Sequence, residues 1–116
     1  MKKSLLMFSC CIGLLLTACN TTTNLYSWHN YQKSAYQYQK KNTDETFEKA
    51  MKEYLKVIEN QNGTRKAVPP GLNAEYGYML YKAGKKSEGI NYFKQEILLY
   101  PESEVYISRI IKQLEQ

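Results

Sequence analysis

Apolar residues recur at a spacing of three and four along almost the whole chain after residue 24, and this pattern restricts the fold more than any other feature. The clearest case follows Thr43 and Asp44, either of which suits a helix N-cap, with Phe47 and Tyr54 on one predicted face. Ser87 is likewise expected to cap a later helix. No run alternates between apolar and polar residues as a half-buried strand does. The sequence therefore predicts an all-α domain of about five helices. They are expected at about residues 25–41, 44–59, 70–83, 87–100 and 102–116.

Three glycines, a phenylalanine and a proline predict how two of these helices pack. Gly77 and Gly89 would let two antiparallel helices approach closely, and Gly84 would turn the chain between them. Phe93 would fill the space between the helices. Pro101 would end the second helix, because proline cannot continue one. These residues predict an antiparallel helical hairpin.

The same spacing resembles the tetratricopeptide (TPR) repeat, in which a small residue, a turn glycine, a second small residue, an aromatic residue and a proline follow in this order. Two positions depart from that pattern, since Tyr76 stands where Leu is usual and Glu96 where Ala is usual. A generic αα-hairpin with the same glycines is the alternative.

A second, weaker repeat is indicated earlier in the chain. Residues 35–40 align with residues 77–82, with a small residue, a tyrosine and a lysine in common. The offset is longer than the usual TPR period of ~34 residues. Since one repeat cannot bury its own apolar face, we expect residues 25–61 to form a degenerate first repeat and residues 102–116 a capping helix.

The N-terminal residues carry a different feature. Lys2 and Lys3 precede an apolar run of about a dozen residues, which suits the h-region of a signal peptide and is too short to span a bilayer. The run ends in Leu16-Thr17-Ala18-Cys19. This order resembles the bacterial lipobox, in which the cysteine is acylated and becomes the first residue of the mature protein. The resemblance predicts lipidation at Cys19; a soluble secretory protein with an incidental cysteine is the alternative.

The lipobox resemblance implies three parts: a signal peptide at 1–18, an acylated cysteine with a polar tether at 19–24, and a TPR-like helical domain at 25–116. Cys19 would be the one mature cysteine, so no intramolecular disulfide is expected and the fold would depend on packing. In the sorting rule of such lipoproteins, Asp after the cysteine retains the protein in the inner membrane. Asn20 therefore implies the outer membrane, with the domain facing the periplasm; a surface-facing domain is the alternative.

A resemblance also covers nearly all of the mature chain. The segments Tyr26-Ser27-Trp28, Val68-Pro69-Pro70-Gly71-Leu72 and Tyr100-Pro101-Glu102-Ser103 look like an uncharacterised family of small Gram-negative lipoproteins with a TPR-like domain. Members are typically encoded beside two other lipoproteins, one similar to the curli-secretion channel. The resemblance implies an envelope assembly and no established catalytic residue.

Few residues could carry catalysis. His29 is the single histidine, which leaves no second one for a metal site, and an acylated Cys19 offers no thiol nucleophile. Glu75, between tyrosines, is the one acid that could lie in a cleft, although a solvated helix position is the favoured interpretation. The charges, which sum to +5 with Lys2 and Lys3 included, are interspersed as on solvated helix faces. We expect no cofactor, no metal, no nucleic-acid partner and no small-molecule substrate.

Tyrosine is unusually frequent, with eleven residues. Tyrosine combines contact area with few rotatable bonds, so it is favoured at interfaces. In the TPR register, one partner-binding groove is predicted to be lined by residues of both repeats. These residues are Tyr36, Lys40, Tyr78, Tyr81 and Lys82. Tyr31, Tyr38, Tyr54, Phe93 and Tyr100 would then belong to the core. The alternative is that all these tyrosines pack a leucine-poor core.

The sequence therefore predicts an outer-membrane lipoprotein that is not an enzyme. Its domain would bind other envelope lipoproteins or an outer-membrane channel, and would scaffold or assemble their complex. A pilotin-like escort of a channel is the alternative within the binding class. An enzyme acting on peptidoglycan would need Glu75 buried opposite a second carboxylate. An abundant envelope spacer would need no groove.

Overall fold

The computed structural model describes residues 23–116, and the regular secondary structure of that part is entirely helical. Its helices are α1 (Tyr31–Lys41), α2 (Asp44–Glu59), α3 (Leu72–Lys82), α4 (Lys86–Leu99) and α5 (Glu104–Leu114), with a 3₁₀ turn at Pro101–Ser103. The predicted all-α class with about five helices is confirmed. The predicted signal peptide at 1–18 and the lipidation site Cys19 lie outside the described residues.

Local hydrogen bonds fix the turn between α1 and α2, which form the first hairpin. Asn42 has a left-handed φ of 48°, and its N–H donates to the Tyr38 carbonyl at 2.8 Å, which ends α1. Thr43 then caps α2, because the Thr46 N–H donates to Thr43 Oγ1 at 3.3 Å. The Thr43 N–H donates in return to Thr46 Oγ1 at 3.1 Å. This reciprocal cap satisfies two backbone donors, and α2 occupies the predicted residues 44–59.

The first helix begins at Tyr31 rather than at residue 25, which corrects the prediction. The segment before it is bonded to the loop that follows α2. The Ser27 N–H donates to Gln61 Oε1 at 3.0 Å, and Gln61 Nε2 donates to the Ser27 carbonyl at 3.0 Å. A Cβ at Gly63 would lie 2.6 Å from Tyr26 Cα. The segment before α1 and the loop after α2 therefore meet where only glycine fits. Backbone groups bound to this loop are not available for helical bonds.

The second hairpin, α3 and α4, brings two backbones into direct contact. A Cβ on Gly77 would lie 2.6 Å from the Gly89 carbonyl oxygen, and a Cβ on Gly89 would lie 2.5 Å from the Gly77 carbonyl oxygen. Gly84 turns the chain between the helices with a φ of 91°. The close approach and the turn predicted for these three glycines are confirmed.

The helices of this hairpin start near the predicted residues but not at them. Gly71 has a φ of 87°, so α3 begins after it, at Leu72, rather than at residue 70. Helix α4 begins at Lys86, and its N-cap Lys85 makes no side-chain capping bond. Ser87 therefore lies inside the first turn of α4, which corrects its predicted role as a cap.

The core lies mainly between α2 and α3. Its buried members are Ala50, Tyr54, Val57, Leu72, Tyr76 and Leu80. Phe93 on α4 and Ile107 on α5 are buried as well. Burial confirms the core positions predicted for Tyr54 and Phe93, while Tyr31 and Tyr38 are half-buried against the same core.

Aromatic rings step through this core from one helix to the next. Ring centroids are 4.8 Å apart for Tyr31 and Tyr54, 6.3 Å for Tyr54 and Tyr76, and 4.7 Å for Tyr76 and Tyr92. The first and last of these pairs are edge-to-face, an arrangement that rings prefer to a flat sandwich. Tyrosine thus fills much of the role that leucine has in other helical cores.

Helix α5 is the last helix and packs against the second hairpin. It packs on α4, and the Tyr81 hydroxyl of α3 donates to the Leu114 carbonyl at 2.6 Å. This bond joins α3 to the last turn of α5. Among residues 23–116, no helix is long and apolar enough to cross a membrane.

Candidate functional site: a groove between two helices

A groove of about 690 Å³ runs between α3 and α5, and we call it the α3–α5 groove. Tyr78 of α3 and Tyr106 of α5 lie at its rim, where they are 45% and 68% exposed. Phe93 and Glu96 of α4 are buried at its floor. Further apolar lining is supplied by Pro70, Ala74, Ile107, Ile110 and Leu114.

Hydrogen bonds between distant residues hold the walls of the groove in place. The Tyr100 hydroxyl donates to the Val68 carbonyl at 2.6 Å. The Gly71 N–H donates to Glu96 Oε1 at 2.6 Å. Both bonds fix the loop before α3 against the end of α4. Together with the bond between α3 and the last turn of α5, they set the groove between elements that are far apart in the sequence.

Glu96 is an unusual residue for a groove floor because it is an acid that is only 2% exposed. Its Oε1 accepts the hydrogen bond from Gly71. Its Oε2 is buried and has no hydrogen-bond partner within residues 23–116. Buried polar atoms are nearly always paired, so an unpaired carboxylate oxygen needs an explanation.

Glu75, on α3, also lines the groove and is exposed. Its Oε2 accepts hydrogen bonds from the Tyr31 hydroxyl at 2.9 Å and from the Tyr54 hydroxyl at 2.8 Å. Two tyrosines of α1 and α2 therefore position this carboxylate. The burial of Glu75 that a peptidoglycan-acting enzyme would need is not observed.

The buried tyrosine hydroxyls of the core are poor acids. Burial raises the pKa of the Tyr54 hydroxyl, and its hydrogen bond to Glu75 raises that pKa further. Burial also raises the pKa of Tyr76 to about 12. At neutral pH both hydroxyls stay protonated and do not act as bases, and that of Tyr54 donates to Glu75.

A smaller groove of about 300 Å³ lies between α1 and α3 and shares Glu75 and Tyr78 with the first. Ala35 and Tyr38 line its α1 side. Tyr78 therefore stands on a ridge between two grooves. Helices α1, α3 and α5 consequently form one face of the domain.

The structure does not gather the five predicted partner-binding residues around one groove. Tyr78 lines the α3–α5 groove, but Tyr36, Lys40, Tyr81 and Lys82 are not in its lining. Ala35 lines the smaller groove, but Tyr36 does not. Successive residues of an α-helix are rotated by about 100°, so the Tyr36 side chain points in a different direction from that of Ala35. The Tyr81 hydroxyl is bonded to the last turn of α5. A binding role for these four residues stays a prediction.

Glu96 and Tyr106 are among the groove residues that were not predicted as site residues. Glu96 departs from the TPR pattern as an acid where a small apolar residue is usual. Tyr106 follows exposed Val105 on the last helix, where no later helix of the described part covers them. An acid at a core position and an apolar terminal helix are the two sequence features that could have located this groove.

Other candidate chemistry is limited in the described part of the chain. Residues 23–116 contain no group of three or more His, Cys, Asp or Glu side chains placed to hold a metal ion. His29 Nε2 donates to the Asn60 carbonyl at 2.9 Å, and so ties the N-terminal segment to the loop after α2. This contact gives the histidine a structural role.

The described residues thus form an all-α domain of successive helical hairpins with grooves on one face. A profile of a domain of unknown function, DUF4810, matches residues 25–110, and the chain belongs to that family. Comparison with curated proteins and with solved structures gives no match. Because the family description assigns no activity, the function has to be argued from the groove.

Proposed function

We propose that this chain is an outer-membrane lipoprotein whose helical domain binds another envelope lipoprotein or an outer-membrane channel in the α3–α5 groove, and so scaffolds or assembles their complex. One observation carries the proposal: an open, largely apolar groove with Tyr78 and Tyr106 exposed at its rim. Removing such rings from water is favourable when a partner covers them.

The proposed anchor would keep this groove near the membrane. The lipobox resemblance at Leu16-Thr17-Ala18-Cys19 supports acylation at Cys19. The packed part of the domain begins near Leu25, whose carbonyl accepts a hydrogen bond from Arg65. A tether of about five residues at ~3.3–3.6 Å each would restrict the domain to about 20 Å from the bilayer surface. A partner anchored in the same membrane would then be at high effective concentration.

The arrangement of helices supports a TPR-like interpretation of the binding face. In that interpretation α1 and α3 are the first helices of two repeats, and α5 caps the second. The contact between Gly77 and Gly89 supports the proposed repeat register, because the register assigns small residues to both positions. A partner segment lying along the face of α1, α3 and α5 would contact Tyr78 at the centre.

Truncation of the two rim tyrosines tests this proposal. The protein carrying Tyr78→Ala and Tyr106→Ala should lose co-purification of its envelope partner from crosslinked membranes. Truncating an interface anchor often costs ~2 kcal/mol or more, which is about a thirtyfold loss of affinity. Neither ring belongs to the buried core, so the circular dichroism spectrum should be unchanged.

Leu98→Ala is the matched control for this experiment. Leu98 is a large apolar residue of α4 that is 80% exposed and does not line the groove. Its truncation should leave co-purification intact. If the double tyrosine variant folds and still retains its partner, the groove is not the binding site.

A further inference from the structure

Glu96 is the feature of the α3–α5 groove that a purely apolar partner does not explain. Its side chain is 2% exposed, and Oε2 has no hydrogen-bond partner within the described residues. Only Oε1 is satisfied, by the Gly71 N–H at 2.6 Å. An unpaired charge in an apolar setting is costly unless a donor or a cation meets it. Glu96 therefore offers a buried acceptor at the floor of an otherwise apolar groove.

The other charges of the groove have the same sign. Glu75 and Glu102 also line it, whereas the described lining contains no Lys, Arg or His. This is the reverse of the chain as a whole, which carries a formal net charge of +5. The groove is thus an acidic site on a basic protein, and charge complementarity selects a cationic ligand.

We propose that the groove takes a protein segment in which a Lys or Arg stands between apolar residues, with the cationic group paired to Glu96. The apolar neighbours of that residue would cover Phe93 and the two rim tyrosines. Glu75 and Glu102 would attract the segment without deep burial. This proposal rests on the proposed function and adds to it the chemistry of the partner.

The first test selects ligands without assuming a partner. A random dodecapeptide library displayed on phage is panned on the purified protein, and the tightest peptide is synthesised. Selected peptides should carry Lys or Arg flanked by apolar residues. Replacing that basic residue with norleucine, which keeps the length but removes the charge, should weaken binding to the unaltered protein at least tenfold.

The second test asks whether the basic residue of the peptide pairs with Glu96. Glu96→Gln keeps the size of the side chain and an oxygen for the Gly71 N–H, but removes the charge. This substitution should weaken binding of the selected peptide at least tenfold. It should weaken binding of the norleucine peptide much less, as expected when the basic residue and Glu96 interact directly. Glu88→Gln removes an equal charge from an exposed position of α4 outside the groove and should change binding less than twofold.

The outcomes separate this inference from the proposed function. Peptides without basic residues that still need Tyr78 and Tyr106 would overturn the inference and leave the groove as a binding site. Absence of any selected peptide that depends on these tyrosines would contradict both. Self-association that depends on Glu96, measured by analytical ultracentrifugation, would overturn the inference because a second copy of the chain would be the occupant.

Discussion

Gly77 and Gly89 set the distance between α3 and α4, because each would place a Cβ within 2.6 Å of the other's carbonyl oxygen. Gly77→Leu should therefore force the hairpin apart and destabilise the domain by about 1–3 kcal/mol or more. For a domain of this size, each kcal/mol lowers Tm by roughly 4–8 °C. Thermal unfolding followed by circular dichroism measures the change.

Lys82→Leu adds the same side chain to an exposed position of the same helix and should leave Tm nearly unchanged. Equal Tm values for the two variants would show that the backbone contact does not limit residue size at Gly77.

The buried tyrosines predict a loss of stability at high pH. Burial raises the pKa of Tyr76 to about 12, whereas an unfolded tyrosine titrates near pH ~10. The neutral form is thus favoured in the fold. This stabilisation is fully present below pH ~10 and is lost as the pH rises toward 12. The urea midpoint should therefore fall between pH 10 and pH 11.

Tyr76→Phe should flatten that fall, because phenylalanine cannot ionise. Tyr36→Phe changes a ring that is 59% exposed and should retain the full pH dependence. A fall of equal steepness in both variants would contradict the role given to Tyr76.

At the scale of the helices, sequence pattern predicted those whose ends are fixed locally. Helix α2 has its predicted bounds because Thr43 and Thr46 cap it within its own first turn. The first helix could not be predicted as well, because its start depends on bonds between Ser27 and Gln61, which are far apart in the sequence. Propensity alone gives no information about such pairings.

A pair of alanine substitutions tests this view of helix ends. Thr43→Ala removes the hydroxyl oxygen that accepts from the Thr46 N–H and should cost about 1 kcal/mol of unfolding free energy. Ser87→Ala removes a hydroxyl that caps nothing and should change stability little. Urea unfolding of both variants gives the comparison, and an equal loss from Ser87→Ala would restore that residue as a cap.

At the scale of the whole molecule, the groove was beyond the reach of the sequence. Periodicity predicted the α3–α4 hairpin and its glycines, and the excess of tyrosine suggested an interface. The position of α5 is set by bonds such as that from Tyr81 to Leu114. The same bond directs the Tyr81 hydroxyl to the last turn of α5, while α5 places Tyr106 in the groove lining.

The proposed anchor is also a property of the whole molecule. Cys19→Ser should block acylation and leave the precursor unprocessed, because lipobox processing requires the lipid-modified thiol. Fractionation of cells should then show loss from the outer membrane. Flotation of the serine variant with outer membranes, at the unaltered level, would contradict the lipoprotein interpretation.

Site-specific photo-crosslinking in cells tests the groove as a partner site most directly. A photoreactive phenylalanine analogue at Tyr106 should crosslink to another envelope protein, since this ring is 68% exposed at the groove rim. The same analogue at Lys49, an exposed position of α2 outside the groove, is the control. The account predicts an adduct from position 106 and none from position 49. Adducts from both positions, or from position 49 alone, would contradict it.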